Sequence, residues 1–72
     1  MEGTEATRRV IAALEALGAA AAPLGLSELA RRAGMPVSTA HRLVRALDAA
    51  GLARRVAPSR GWVLGPRLFA LG

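Results

Sequence analysis

The chain has no cysteine, no lysine and no tyrosine in 72 residues, and its histidine, tryptophan and phenylalanine each occur once. Without cysteine, neither a disulfide framework nor a thiolate metal site can staple the fold, so aliphatic packing has to hold it. The lone His41 has no second histidine to share a metal with. No apolar run approaches the roughly 20 residues that a membrane span needs, and residues 1–22 lack the basic-then-apolar order of a secretory signal. These absences lead us to expect a soluble, cytoplasmic protein with no membrane partner. A chain this short makes one small domain that buries only about 60% of its unfolded surface, which leaves little room for a deep catalytic pocket.

Acid is also scarce and unevenly placed. Through Glu28 there are two arginines against four acids, net −2, whereas from Leu29 onward there are eight arginines and the single acid Asp48, net +7, for a formal total of +5. The positive field therefore belongs to the second half. Clustered basic charge suits a polyanion, because neutralising phosphates releases condensed counterions. It would also serve as an ordinary solvated face.

The spacing of Val10, Ile11, Leu14 and Leu17 predicts an amphipathic helix from residue 5 to about 18, with Thr4 as its N-cap and Glu5 in its first turn. The alanine run at residues 19–22 reads as helix fraying before Pro23 and Gly25 turn the chain. Ser27 is expected to cap a short second helix whose apolar face is Leu29, Ala30 and Ala33, and Gly34 should stop it by taking a positive φ. Pro36 fits the first turn of a third helix over about 36–50. At 100° per residue, Ala40, Leu43, Val44 and Leu47 share one face of that helix, while Ser38, Arg42, Arg45 and Ala49 lie opposite. Gly51 closes it. Residues 52–57 and 62–64 form a hairpin around the turn Pro58-Ser59-Arg60-Gly61, and Gly65-Pro66 opens a last helix carrying Leu68, Phe69 and Leu71. The expected architecture is mainly α with a small β-hairpin: a three-helix bundle plus a two-stranded wing in residues 1–65, then the start of a linker helix in 66–72.

Helix, tight turn, helix, hairpin is an order in which the third helix lies across the second and exposes one face to a major groove. Arginine grips guanine O6 and N7 bidentately, and serine or threonine hydroxyls bond phosphates or bases, so Ser38, Arg42 and Arg45, flanked by Thr39 and His41, are candidate DNA contacts. Arg60 at the hairpin tip could reach a backbone or an adjacent minor groove. Arg54 and Arg55 point to opposite faces of a strand, so only one of them can share that surface, and spacing does not say which. Arg31 and Arg32 read equally as surface charges or as phosphate contacts from the second helix. Trp62 alternates with Leu64, which makes it a packing anchor of the hairpin rather than a base-stacking platform. The spacing of Ser38 and His41 invites a nucleophile reading, but the only nearby carboxylate is Asp48 and no glycine-rich phosphate loop occurs, so no enzyme, cofactor or metal site is expected.

These residues resemble a known family. LSELARRAGMPVSTAHRLVRALDAAGLARR, followed by GWVLGPRLFALG, is similar over Leu26–Gly72 to the amino-terminal winged helix-turn-helix domain of IclR-family bacterial regulators. Its more specific parts are Ser38-Thr39 with His41-Arg42-Leu43 in the third helix, and the Gly61-x-x-Leu64-Gly65 exit into Pro66-Arg67-Leu68. Arg9 before Val-Ile-x-x-Leu-Glu adds a less specific match. The resemblance implies sequence-specific binding of a palindromic double-stranded operator by a homodimer or higher assembly, more often as a repressor than as an activator. It also implies that a small-molecule effector acts only through a separate carboxy-terminal domain, absent from these 72 residues. It points to Ser38, Thr39, His41, Arg42 and Arg45 as DNA-facing, with Arg60 on the wing and Arg9 from the first helix. Val37 stands where relatives often carry a polar or basic residue, which removes one expected phosphate contact, and the alanine-rich loop before Pro23 is unusually small and apolar. The alternative is a winged-helix protein-interaction module that does not bind DNA; such a module would neutralise the third helix's outer face or cover it with apolar residues, and this face instead presents Arg42 and Arg45 beside a basic hairpin.

Overall fold

Thr4 opens the first helix as expected: in the computed structural model, which describes residues 4–67, the Thr7 amide donates to Thr4 Oγ1 at 3.1 Å. This satisfies one of the amides a helix start leaves without a partner. Helix α1 (Glu5–Ala19) turns Ala13 and Leu17 fully inward and Val10 and Leu14 partly so. Ile11 does not join them. It lies about 100° round the helix from Val10 and is 51% exposed, and the small Ala13 takes its expected place against the core.

Helix α2 (Leu26–Ala33) starts before Ser27, contrary to expectation: its N-cap is Gly25, and the Leu29 amide donates to the Gly25 carbonyl at 2.9 Å. Leu24 is buried just upstream and Leu26 packs partly against the core, so the chain is already committed to a helix before the serine arrives. Leu29, Ala30 and Ala33 are buried, as the pattern predicts. Gly34 ends α2 at φ 72°, and the Met35 amide reaches back to the Ala30 carbonyl at 3.0 Å. Met35 is buried in the resulting tight turn. Pro36 is the N-cap of α3 (Val37–Ala49), just outside the first-turn position expected for it.

Along α3, Ala40, Val44 and Leu47 are buried, with Val44 fully so, and Leu43 is only half-buried at the edge of the same face. Gly51, at φ 79°, repeats the ending of α2, with the Leu52 amide bonding to the Leu47 carbonyl at 2.8 Å. The chain then forms an antiparallel hairpin of β1 (Ala53–Val56) and β2 (Gly61–Leu64), one residue tighter at both ends of β1 and one longer at the start of β2 than the sequence suggested. Its register pairs Ala53 with Leu64, Arg54 with Val63, Arg55 with Trp62 and Val56 with Gly61. On its other side β2 meets Leu24 in a single antiparallel rung with Trp62.

Ala53 and Trp62 join the helix side chains in one continuous core, as read for Trp62 from its alternation. Beyond β2 the chain is pinned to the end of α3: the Gly65 amide donates to the Leu52 carbonyl at 2.8 Å, and the Arg67 amide donates to that of Gly51 at 3.1 Å. The Arg67 guanidinium also reaches the Ala50 carbonyl at 3.3 Å, where the negative end of the helix dipole favours it. A Cβ on Gly65 would collide with the Gly51 carbonyl, which explains the glycine at the hairpin exit. Leu68, Phe69 and Leu71, expected in a linker helix, lie outside the described residues.

Candidate nucleic-acid interface

Because α3 buries Ala40, Val44 and Leu47, helical geometry sends Ser38, Arg42 and Arg45 outward, and all three are exposed. Val37 at the start of the helix is also exposed. The two flanks of the helix face different neighbours. On one side, half-buried Thr39 joins Arg42 and Leu43 opposite Ala6, Arg9 and Val10 of α1, around a cleft of about 400 Å³. On the other, His41, Arg45 and Asp48 face Arg55 and Trp62 of the hairpin around a cleft of about 300 Å³.

Six of the seven expected site residues thus fall into three groups, and Ser38 lines neither of the two clefts. Arg9, Thr39 and Arg42 come together beside α1, and His41 and Arg45 come together beside the hairpin. Arg60 stands apart at the hairpin tip with a left-handed φ of 62°, beside a smaller recess it shares with Arg55, Val56 and Ala57. The turn is held by the Arg60 amide bonding to the Val56 carbonyl at 2.9 Å and by Ser59, whose hydroxyl accepts the Gly61 amide at 3.2 Å. Asp48 was not among the expected contacts, and of Arg54 and Arg55, between which spacing does not choose, it is Arg55 that lines the cleft. Arg55 was legible in principle: once Trp62 is taken as inward-facing, the turn length makes Arg55 its cross-strand partner, on the same side of the hairpin as α3.

Electrostatics separate the two halves of the molecule further. Among the described residues the ion pairs all lie within α1 and α2: Glu5 with Arg8 at 2.7 Å and Arg9 at 3.1 Å, and Glu28 with Arg31 and with Arg32 at 2.7 Å. Hydrogen bonds from Arg31 and then Arg32 hold the Glu28 carboxyl down to about 2, and the bond from Arg8 holds that of Glu5 below its ordinary value. Arg42, Arg45, Arg54, Arg55 and Arg60 have no such carboxylate partner among the described residues. The acids therefore pair the arginines of the first two helices and leave the cations of α3 and the hairpin free. Arg9, one of the expected contacts, shares its carboxylate with Arg8.

Among the described residues no cluster of three or more histidine, cysteine or carboxylate groups could hold a metal ion, and no helix is long and apolar enough to cross a membrane.

Comparison with known proteins places this geometry. Residues 6–57 match the sequence profile of the IclR helix-turn-helix domain. The transcriptional repressor IclR of Escherichia coli K12 is 39% identical over 49 residues, covering 68% of this chain and 18% of the repressor. The chain thus spans less than a fifth of that curated relative. Among solved structures, HmgR of Pseudomonas aeruginosa superposes with a TM-score of 0.85 at 32% identity, over 96% of this chain and 28% of HmgR. An IclR homolog from Microbacterium hydrocarbonoxydans, crystallised with 4-hydroxybenzoate, superposes with a TM-score of 0.82 at 33% identity, over 92% of this chain and 27% of its own.

Proposed function

The chain belongs to the IclR family and carries that family's winged helix-turn-helix DNA-binding domain, and on that premise we propose that it represses transcription by seating α3 in the major groove of a palindromic operator. The observation that carries this reading is the charge arrangement on α3. Ser38, Arg42 and Arg45 are exposed, and Arg42 and Arg45 have no carboxylate partner among the described residues, while the arginines of α1 and α2 are ion-paired. In this docking Arg42 and Arg45 read guanine edges or adjacent phosphates, Ser38 and Thr39 meet the groove near the helix start, and His41 and Arg60 contact the backbone. Arg9 contributes from α1. A protein-interaction module that leaves DNA alone finds no support here, since the outer face of α3 is charged and open.

Residues 1–65 form the DNA-binding domain, with 66–72 beginning a linker. In the full-length cytoplasmic regulator, homodimers or higher assemblies place two such domains on half-sites one or more helical turns apart. A small-molecule effector acts through a separate domain; the Microbacterium homolog bound to 4-hydroxybenzoate supports that class of signal. In vitro selection from a random duplex pool tests the reading. Enrichment of a defined motif that disappears with Arg42→Ala is the expected outcome, and recovery of no motif overturns it.

A further inference from the structure

When a helix lies in a major groove and a wing rests on the neighbouring minor groove, the phosphate strand that separates the two grooves must cross the gap between helix and wing. Here that gap is the cleft of about 300 Å³ lined by His41, Arg45 and Asp48 of α3 and by Arg55 and Trp62 of the hairpin. We infer that this cleft is a seat for one backbone phosphate of bound duplex DNA, gripped by Arg45 from the helix and Arg55 from the wing, with Asp48 weakening the grip. The inference rests on the docking proposed above.

Three features of Arg55 support the assignment. Its register opposite Trp62 turns it toward α3, whereas Arg54 pairs with Val63 on the other face of the strand. Its guanidinium carbon lies 5.7 Å from the centre of the Trp62 ring, so the side chain is held over an aromatic face and gives up less freedom on binding. It also borders the recess beside Arg60, which makes it the link between the cations of α3 and the hairpin tip. A planar, permanently charged group held in this way suits a phosphate oxygen pair better than a flexible ammonium would.

Among the described residues Asp48 is the one carboxylate lining the cleft. It repels a phosphate there and lowers affinity for every sequence alike. The seat reads no base, so its residues should change affinity without changing sequence preference.

The test is fluorescence anisotropy of the 72-residue chain with a random-sequence duplex at several salt concentrations, for the unsubstituted protein, Arg55→Gln, Arg54→Gln and Asp48→Asn. The two arginine variants carry the same net charge and alter adjacent exposed positions, so long-range attraction is matched between them, and a thermal melt of each shows whether losing the contact of Arg55 with Trp62 disturbs the fold. Arg55→Gln should weaken binding by about tenfold, the loss of one charge-assisted hydrogen bond, and flatten the log–log salt slope by about one. Arg54→Gln should change the dissociation constant by no more than about twofold, as screened long-range charge does, and Asp48→Asn should tighten binding. Equal losses in the two arginine variants, or an Asp48→Asn affinity no higher than that of the parent, overturn the seat while leaving α3 docking intact. If the unsubstituted chain binds no duplex at all, the docking itself is wrong and the seat falls with it.

Discussion

Leu24 and Trp62 exchange both of their backbone hydrogen bonds: the Leu24 amide donates to the Trp62 carbonyl at 3.0 Å, and the Trp62 amide donates to the Leu24 carbonyl at 2.7 Å. This one rung ties the loop between α1 and α2 to the hairpin, so β2 is bonded on both edges at its centre. An isolated two-stranded hairpin is marginal in water, and the wing holds its place because Leu24 and the buried face of Trp62 anchor it to the helices. The orientation of Arg55 toward α3 follows from that anchoring.

The rung brings Pro23 so close to Gly61 that a Cβ on the glycine would lie 2.6 Å from the proline Cβ and 2.9 Å from its carbonyl carbon. Gly61→Ala should therefore destabilise the fold by about 1–3 kcal/mol, as overpacking does. In a domain of this size each kcal/mol lowers Tm by about 4–8 °C. Gly18→Ala should do the reverse. Gly18 is exposed in α1 and its Cβ would meet only the Leu64 Cδ1 at 3.4 Å, so better helix propensity should add up to about 1 kcal/mol. Thermal melts of the two variants check this, and a Gly61→Ala Tm no lower than the parent's would contradict the close approach at Pro23.

Much of α3 was legible before any coordinates, because a helix that buries one stripe states its register in every turn. Ala40, Val44 and Leu47 are inward and Ser38, Arg42 and Arg45 outward, as the periodicity requires. Gly34 and Gly51 were legible for a different reason: each takes a positive φ that other residues avoid. What the pattern hid were contacts with no periodicity. A single rung at Leu24 has no alternation to reveal it, and the start of α2 at Leu26 was set by the packing of Leu24 and Leu26, not by the side chain of Ser27. Ile11 points outward because that face of α1 has room for Val10, Leu14 and Leu17 together with Ala13, and four apolar residues in one window do not say which of them it excludes. The choice between Arg54 and Arg55 needed the hairpin register, which depends on turn length rather than composition.

The burial difference between Leu47 and Leu43 separates two substitutions that look alike in sequence. Leu47 is 5% exposed within the core, whereas Leu43 sits half-buried beside the cleft next to α1. Leu47→Ala should cost about 2–5 kcal/mol, enough to unfold most of a small domain at moderate temperature. Leu43→Ala should cost about half of that, in proportion to the apolar area it buries. Urea denaturation midpoints decide the order, and equal midpoints would mean that α3 is rotated from the register described.

Arg42, Arg45, Arg54, Arg55 and Arg60, the arginines of α3 and the hairpin, have no ion-pair partner among the described residues, and they should set the salt dependence of DNA binding. Four to six neutralised phosphates give a log–log slope of about −4 to −5. Two of these arginines should differ in kind. Arg42→Ala should lose about 1–3 kcal/mol of discrimination for the correct base, while Arg60→Gly should weaken all duplexes alike. Arg60→Gly should also raise Tm slightly, because glycine takes the left-handed φ of 62° without the strain that costs other residues about 1–2 kcal/mol. Titrations against selected and random duplexes, with melts of the same samples, check both halves. A salt-insensitive affinity would mean that the free cations only solvate the surface.

The ion pairs of α2 make acid stability depend on one carboxylate in particular. Hydrogen bonds from Arg31 and Arg32 lower Glu28 from its ordinary 4.5 to about 2 in the folded chain, so between those values the unfolded chain binds the proton more readily than the folded one. The contribution of Glu28 is therefore fully present above about pH 4.5 and is lost as pH falls from there through about 2. Its sign is reinforced by position, since Glu28 lies in the first turn of α2 and both arginines in its last turn, each favoured by the helix dipole. The carboxylate is open to solvent, so the effect should be small and should shrink further in high salt. Melts of the parent chain and of Glu28→Gln across this window test it: the parent should be the more stable at pH 5, and the two Tm values should converge as the carboxyl takes up its proton. Glu5, lowered in the same direction by Arg8, titrates in both proteins and cancels from the comparison. A Tm difference that stays constant from neutral to strongly acidic pH would show that Glu28 is not held as an ion by Arg31 and Arg32 in solution.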